Sequence, residues 1–194
     1  RPDEGGIFIE NKEGKVYRPR EAIACGIEMI HQDLVLADNI DVAGNIFMGR
    51  ELTKPFFGLS IPLLLDRRTM ENKASQTLRE LNIRIDSVRS TVEHLSGGQR
   101  QSVAIARAVR FRPKVLIMDE PTSALGVKEV NKALELMKEL RKSGISIILI
   151  SHRLPDVTYL ADRIMVLRRG KNAGVLKGGT TIDQVIKVIV GGED

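Results

Sequence analysis

The chain has 194 residues, of which 42% are hydrophobic and 28% charged, a composition typical of one globular domain and unlike that of a disordered, collagen-like or coiled-coil chain. Its apolar stretches are far shorter than the roughly 20 residues of a membrane-spanning helix, and its single cysteine, Cys25, excludes an internal disulfide and a multi-cysteine zinc site. Thirty basic and twenty-five acidic residues give a net charge of +5, but the lack of Trp and the scarcity of Phe and Tyr disfavour a base-stacking nucleic-acid surface.

The N-terminal part of the sequence predicts a hairpin, a short helix and a strand. Residues 7–17 contain two short β-prone runs around Gly14, which predict a hairpin. A short helix is predicted over residues 19–25, and the apolar run Ile27–Ile30 predicts a strand that leads to Gln32. The sequence begins with neither an initiator Met nor a secretory signal, so we expect it to be a fragment.

The middle of the sequence, residues 33–113, has a helical texture and predicts a helical insertion or subdomain. Residues 66–81 place apolar or small side chains at helical spacing, which predicts a helix. Residues 54–62 contain two prolines and Gly58, and predict a loop.

Residues 114–194 alternate strand and helix patterns. The helix is predicted over Val127–Lys142, and Ser143 and Gly144 end it. Buried strands are predicted over residues 115–118, 145–150 and 163–167, with a last strand over residues 170–178. Continuous apolar strands separated by amphipathic helices predict the α/β class, with a mainly parallel sheet covered on both faces by helices.

The strongest local motif is Leu-Ser-Gly-Gly-Gln at residues 95–99. Ser96 and Gln99 have the spacing of a capping box, so Ser96 is expected to begin a helix whose first N–H groups have no partner inside the helix. Gly97 and Gly98 carry no side chain that would block a ligand, and such a helix N-terminus binds phosphate. The alternative for this motif taken alone is a well-capped structural helix.

Polar residues follow three predicted strands. Asp119 and Glu120 follow one strand, His152 follows the next predicted strand, and Gln32 follows the strand Ile27–Ile30. Ligands of open α/β sheets bind at the carboxyl ends of the strands. There an Asp suits Mg²⁺ held through water, and a Glu suits the activation of an attacking water. Taken singly, an acidic turn and an ordinary loop histidine are the alternatives.

These segments, in this order, resemble the nucleotide-binding subunit of ATP-binding cassette (ABC) transporters, with residues 95–99 as signature loop and residues 115–119 as Walker B strand. The resemblance implies a P-loop NTPase-like fold with ATP and Mg²⁺ as ligands. It also implies that residues 1–194 form a partial nucleotide-binding domain, in which residues 33–113 are the helical subdomain and residues 114–194 are the C-terminal part of the catalytic core. It also implies roles for the matched residues: Glu120 as general base, His152 and Gln32 on the γ-phosphate and attacking water, Asp119 and Gln32 on the metal, and Ser96, Gly97, Gly98 and Gln99 on the nucleotide.

Two features depart from the family pattern. The D-loop of the family has Asp where this chain has Gly126, which removes a carboxylate that would reach across a dimer. No G-x-x-x-x-G-K-[ST] sequence occurs, so the P-loop and the N-terminal strands are expected to lie outside this chain. In the related fold the P-loop strand lies between the strand that leads to His152 and the strand over residues 163–167. Without the P-loop strand, each of these two strands would have an edge with unpaired N–H and C=O groups.

Residues 26–34 and 45–52 resemble ATPases of ribose-, xylose- and fructose-type importers. That resemblance implies a subunit at the cytoplasmic face of the inner or plasma membrane, which acts as a homodimer and binds a membrane permease through residues 32–52. A substrate-binding protein would be an indirect partner and nucleic acid would not be one. The alternatives are a soluble ABC ATPase outside transport, and an inactive or partner-binding remnant that does not bind ATP.

The remaining reactive or charged residues receive structural interpretations. Cys25 is interpreted as a small residue at the edge of the core. The basic residues around the predicted signature helix are interpreted as a solvated helix face; they are Arg100, Arg107, Arg110, Arg112 and Lys114.

Overall fold

The structure is a computed structural model that describes residues 2–14, 18–56 and 59–191. The helices are α1 (Pro19–Ala24), α2 (Val42–Phe47), α3 (Arg67–Glu80), α4 (Gly97–Val109), α5 (Val127–Lys142), α6 (Leu154–Leu160) and α7 (Ile182–Val190). The strands are β1 (Phe8–Ile9), β2 (Lys12–Glu13), β3 (Ile27–Ile30), β4 (Thr53–Phe56), β5 (Leu59–Leu65), β6 (Val115–Asp119), β7 (Ser146–Ile150), β8 (Arg163–Arg168) and β9 (Lys171–Lys177). Within these residues no helix is long and apolar enough to cross a membrane.

A three-stranded parallel sheet with the order β3–β6–β7 forms the centre of the fold. Its inner face carries Ile30, Leu116 and Met118, all at most 1% exposed. These side chains pack with apolar residues of α4 and α5, which cover that face. The predicted strands at 27–30, 115–118 and 145–150 and the predicted helix Val127–Lys142 are confirmed, and so is the α/β class with a parallel sheet.

The prediction that helices cover both faces of this sheet is wrong for the described residues. The opposite face carries Met29, Ile148 and Ile150, which are 37%, 52% and 46% exposed. Instead of joining the parallel sheet, β8 pairs antiparallel with β9, so β7 and β8 lie in different sheets. The predicted third buried strand therefore alternates, with Ile164 buried against α7 and Leu167 exposed. Apolar composition alone does not reveal which face has a partner.

A second core lies between α2, α3 and α4. It includes Phe47 of α2, Ala74 of α3 and Val103 of α4, none of them measurably exposed. The helix predicted over residues 66–81 is confirmed as α3, which Asp66 caps by accepting a hydrogen bond from the Thr69 amide. Because α4 contributes to both cores, it joins the middle segment to the sheet, and the predicted boundary between residues 113 and 114 stays a prediction.

Within the range where a loop was predicted, residues 54–62, the structure instead has the antiparallel pair of β4 and β5, and residues 57 and 58 lie outside the described residues. Proline lacks an N–H and is excluded from central strands, but a two-stranded hairpin consists of edge strands only. The ladder is irregular between Lys54 and Phe56, on either side of Pro55. The two prolines predicted an interruption of regular structure, but this antiparallel pair accepts them because both of its strands are edge strands.

The predicted N-terminal hairpin is confirmed as β1–β2, but its turn lies at Glu10 and Asn11 rather than at Gly14. Both turn residues have positive φ, 52° and 61°, as in the two-residue turns that suit the twist of hairpins. The Gly14 amide donates to the Ile7 carbonyl and closes the pair. Residues 15–17, also part of the predicted hairpin, lie outside the described residues.

Candidate functional site

The carboxyl ends of β3, β6 and β7 bring three of the predicted segments to one edge of the sheet. Gln32 lies two residues beyond β3, Asp119 ends β6, and His152 lies two residues beyond β7. In the parallel register Asp119 stands beside Ile150, so it shares the open face of the sheet. Gln32 lies in an exposed turn. The parallel strands thus assemble the edge at which ligands of such sheets bind.

Glu120 adopts a backbone conformation that is unusual for its residue type. Its φ is 48°, in the left-handed region, which costs a residue with a Cβ about 1–2 kcal/mol. The Glu120 amide still donates to the Ile150 carbonyl at 2.9 Å and so continues the ladder with β7. The chain therefore turns sharply at this residue while remaining fixed to the neighbouring strand. Strain of this kind concentrates at functional sites.

Glu120 and His152 form the direct contact of the site. The Glu120 Oε1 atom accepts hydrogen bonds from the His152 amide at 2.9 Å and from its ring Nδ1 at 2.7 Å. An ionised carboxylate only accepts hydrogen bonds, so with Glu120 ionised the contact assigns a proton to Nδ1. In the neutral ring Nε2 is then the acceptor. The Glu120 side chain is 16% exposed and that of His152 is 75% exposed. The carboxylate therefore fixes the tautomer of a histidine that faces solvent.

The second oxygen of Glu120 is buried. Oε2 has no hydrogen-bond partner among the described residues, although a carboxylate oxygen removed from water costs free energy unless it is paired. Among Gln32, Asp119, Glu120 and His152, hydrogen bonds within the described chain join only Glu120 to His152. The described residues also contain no group of three or more His, Cys, Asp or Glu side chains placed to ligate a metal.

The N-terminus of α4 has the predicted capping box. The Ser96 hydroxyl accepts from the Gln99 amide at 3.3 Å, and the Gln99 side chain accepts from the Ser96 amide at 3.0 Å. The Gly97 and Gly98 amides occupy the first two helical positions, where no intrahelical acceptor exists. Apart from its chain neighbours and the backbone of α4, a Cβ on Gly97 would meet no atom within 4 Å, so the space beside Gly97 is open.

An acidic side chain of α5 lies beside this helix terminus. A Cβ on Gly98 would stand 2.7 Å from the Glu129 Cγ atom, and one on Gly126 would stand 2.7 Å from the Glu129 Oε2 atom. Glu129 therefore fills the space between the start of α4 and the turn that precedes α5. Both glycines allow this close approach.

Arg107 is a residue whose role the sequence did not reveal. Its two terminal nitrogens donate to the Val35 and Leu34 carbonyls at 2.6 and 2.7 Å, although the basic residues near α4 were interpreted as a solvated face. That interpretation is wrong for Arg107, which is half-buried, and burial lowers its pKa while Glu28 opposes the shift. Arg107 thus ties α4 to the turn that follows Gln32. Only the hydrogen-bonding capacity of an Arg could have suggested this role.

A family model described as ABC transporter matches residues 1–123 of the chain. The chain belongs to the ABC transporter ATPase family. The predicted resemblance is thereby confirmed, and the assignment of residues 95–99 as signature loop stays a prediction.

Two relatives and a solved structure support the family assignment. Fructose import ATP-binding protein FrcA of Rhizobium meliloti is 47% identical, and the alignment covers 90% of this chain and 68% of FrcA. Xylose/arabinose import ATP-binding protein XylG of Sulfolobus acidocaldarius is 43% identical, with 88% of this chain and 65% of XylG covered. A crystal structure of a nucleotide-free ATP-binding cassette from an ABC transporter matches with a TM-score of 0.76 at 26% identity, covering 97% of this chain and 74% of that one. The chain thus spans about two thirds of the length of these two relatives.

Proposed function

We propose that the chain is part of the ATP-binding subunit of an ABC importer, which couples ATP hydrolysis to the uptake of a monosaccharide. Support for the substrate class comes from the import of fructose and of xylose or arabinose named for two relatives. Support for the chemistry comes from one observation, the contact of Glu120 with His152 at the carboxyl edge of the sheet. Neither a soluble ABC ATPase nor a partner-binding remnant is favoured by a specific contact.

In this proposal Glu120 is the general base. A base must lie within hydrogen-bond reach of the proton that it removes, directly or through one water. Glu120 Oε1 is held by His152, and the strained backbone fixes where the carboxylate points. With Nδ1 donating to Glu120, the Nε2 atom of the neutral ring is an acceptor for the attacking water, and His152 would contact a phosphate oxygen through Nε2 when the ring carries both protons. The two residues therefore act as one unit, in which the carboxylate orients the imidazole.

The start of the signature helix fits a phosphate group. The Gly97 and Gly98 amides lack intrahelical acceptors and the space beside Gly97 is open, so these N–H groups together with the helix dipole are placed to bind an anion. The Cβ and Cγ atoms of Glu129 bound the seat on the Gly98 side, while the Glu129 carboxylate lies beside Gly126. In the family this seat holds a γ-phosphate bound mainly by the other subunit, so the proposal includes a homodimer.

The metal assignment rests on Asp119 and Gln32. Mg²⁺ keeps several waters and takes few protein ligands, so the Asp119 carboxylate at this edge is a ligand of the kind that it uses. When bound, Mg²⁺ would neutralise charge on the phosphates. Asp119 lies at the end of β6 and would hold water of the metal shell, with Gln32 on the neighbouring turn.

The remaining parts of the proposal concern partners and location. A permease would bind the segment at residues 32–52, which contains the turn held by Arg107 and helix α2. A substrate-binding protein would act through that permease, at the opposite membrane side from this subunit. The subunit itself would be peripheral at the cytoplasmic face of the inner or plasma membrane. The cradle for the β- and γ-phosphates would be a P-loop, whose sequence this chain does not contain.

The experiment that tests the function is the Glu120→Gln substitution in a complete subunit that carries this sequence. General-base catalysis contributes about 10²–10⁴-fold to rate, so we expect steady-state turnover to fall by at least about a hundredfold while ATP binding persists. Glu139→Gln is the matched control, because Glu139 is a 61% exposed carboxylate on α5 whose Oε1 atom lies 2.7 Å from the Lys142 ammonium group. Turnover of Glu120→Gln within twofold of the parent would show that Glu120 is not the base.

A further inference from the structure

A second buried carboxylate lies beside the site. Asp156 of α6 is 4% exposed and Thr122 is 2% exposed. The Thr122 hydroxyl donates to the Asp156 Oδ2 atom at 2.7 Å, and the Arg153 Nε atom lies 3.1 Å from the same oxygen. One carboxylate oxygen therefore joins two segments that are 34 residues apart in the chain.

These two segments carry the predicted catalytic pair. Thr122 lies in the turn that follows Glu120, and that turn is closed by hydrogen bonds from the Ser123 amide and hydroxyl to the Glu120 carbonyl. Arg153 directly follows His152, and its carbonyl accepts from the Asp156 amide at 3.0 Å. Asp156 thus fixes the turn after one member of the pair and the residue after the other.

Fold stability alone does not account for a carboxylate at this position. Removing a charged group from water is costly, and buried ion pairs often contribute no more than an apolar replacement would. Asp156 lies in the first turn of α6, where the helix dipole favours a negative charge only modestly. What an apolar side chain would not supply is the directional link from Thr122 to Arg153.

We propose that Asp156 is a positioning residue that holds Glu120 and His152 in contact. It acts through Thr122 on the turn that aims the Glu120 carboxylate, and through Arg153 on the backbone beside His152. The proposal rests on the proposed function only in calling that pair catalytic. The contact itself can be measured without nucleotide, so the two ideas can fail separately.

Nuclear magnetic resonance of a complete subunit that carries this sequence, without nucleotide, provides the measurement. The chain has three histidines, so the His152 ring nitrogens are assigned by comparison with a His152→Gln variant. Two quantities report the contact: the ring tautomer, with Nδ1 protonated, and hydrogen exchange of the His152 amide that donates to Glu120. The amide of Met118, in the centre of the parallel sheet, reports global opening in the same spectra.

The first variant is Asp156→Asn. We expect exchange of the His152 amide to rise by roughly tenfold or more relative to Met118, because a buried donor loses its charged partner, and we expect the ring to populate both neutral tautomers. Asp162→Asn is the matched control, since Asp162 also pairs with an arginine, Arg141 at 3.2 Å, but is 77% exposed. It should leave both readouts unchanged.

A second pair of variants tests the link from its other end. Thr122→Val removes the hydroxyl at nearly constant volume and should reproduce the His152 response, whereas Thr122→Ser keeps the donor and should retain the parental tautomer and exchange. This pair decides the matter if Asp156→Asn fails to fold. Equal acceleration of His152 and Met118, or an unchanged His152 tautomer in Thr122→Val, would show that Asp156 supports only the fold. If Asp156→Asn and Thr122→Val give the expected changes at His152 while Glu120→Gln keeps full turnover, that result would overturn the catalytic assignment and leave the positioning role intact.

Discussion

The Arg107 contact gives a prediction whose size follows from the structure. Both terminal nitrogens of Arg107 donate to neighbouring carbonyls, those of Leu34 and Val35, and lysine can offer only a point charge to one of them. Hydrogen bonds from charged groups contribute about 1.5–3 kcal/mol. Because the site is only half-buried and the freed carbonyl can reach water, we expect Arg107→Lys to lower the free energy of unfolding by about 1–2 kcal/mol.

The conformation of the bound turn adds a local effect. Leu34 and Val35 have positive φ values of 46° and 48°, a region in which a β-branched residue such as Val35 is strained. Once the clamp is weakened, this turn is expected to relax before the rest of the fold. Hydrogen exchange of the Leu34 amide, which donates to the His31 carbonyl at 3.0 Å, should therefore accelerate more than that of amides in β6.

Urea unfolding measures the global part of this prediction. The midpoint should fall with an unchanged slope, because the surface exposed on unfolding stays the same, and the melting temperature should fall by about 2–8 °C for a chain of this size. Arg141→Lys is the control, since Arg141 also donates to a carbonyl, that of Leu160 at 3.0 Å, but is 51% exposed. Equal effects of the two substitutions, both below about 0.5 kcal/mol as expected for an exposed contact, would refute the reasoning.

Two further predictions concern the signature helix and its neighbour. In a complete subunit, Ser96→Arg should block ATP-driven dimerisation, measured by light scattering in a hydrolysis-deficient background, while each monomer still binds nucleotide. The control Ser96→Ala loses the helix cap but leaves the phosphate seat open, so it should still dimerise. Normal dimerisation of Ser96→Arg would contradict a seat for the phosphate of the other subunit. Gly126 has a φ of −69° that any residue tolerates and caps α5 without a side-chain hydrogen bond, so Gly126→Asp should add a few tenths of a kcal/mol of capping. Because the new side chain would meet Glu129 Oε2, that gain should appear in thermal melting only when Glu129→Ala is added, and a gain in the single variant would show that Glu129 moves freely aside.

The sequence predicted the elements that carry their own local signal. The Ser96 capping box, the helix Val127–Lys142 and the strand Ile27–Ile30 are determined by side chains within a few residues of each other, and all are present. The order of motifs along the chain identified the family, which the comparisons confirm. The predicted site residues stay predictions, although the parallel strands bring Glu120 into contact with His152 as their positions implied.

The features that the sequence did not predict depend on contacts between distant segments. The Arg107 clamp spans 72 residues and the Thr122–Asp156 bond spans 34, and neither leaves a pattern in the local sequence. The antiparallel pair of β4 and β5 was missed because proline indicates an interruption, whereas edge strands accept it. The open sheet face was missed because apolar strands look alike whether or not a partner covers them.

That open face supports a last prediction. Met29, Ile117 and Ile148 stand side by side across the three parallel strands, and exposed apolar surface of this kind drives association. No strand of the described chain pairs with the outer edge of β7, which leaves N–H and C=O groups open to a second copy. We therefore expect the 194-residue chain to self-associate at micromolar concentration in size-exclusion chromatography with light scattering.

A single charged side chain on this sheet face should weaken the self-association. Ile148 is 52% exposed, and fully burying such a side chain contributes about 1.5–3 kcal/mol, so Ile148→Lys should weaken the dimer by at least about tenfold. Val127→Lys adds the same charge at a side chain that is 80% exposed at the start of α5, and should leave the association constant unchanged. If Val127→Lys weakens association as much as Ile148→Lys does, added net charge and not the sheet face controls it, because contact through this face would bury the Ile148 side chain against the second copy.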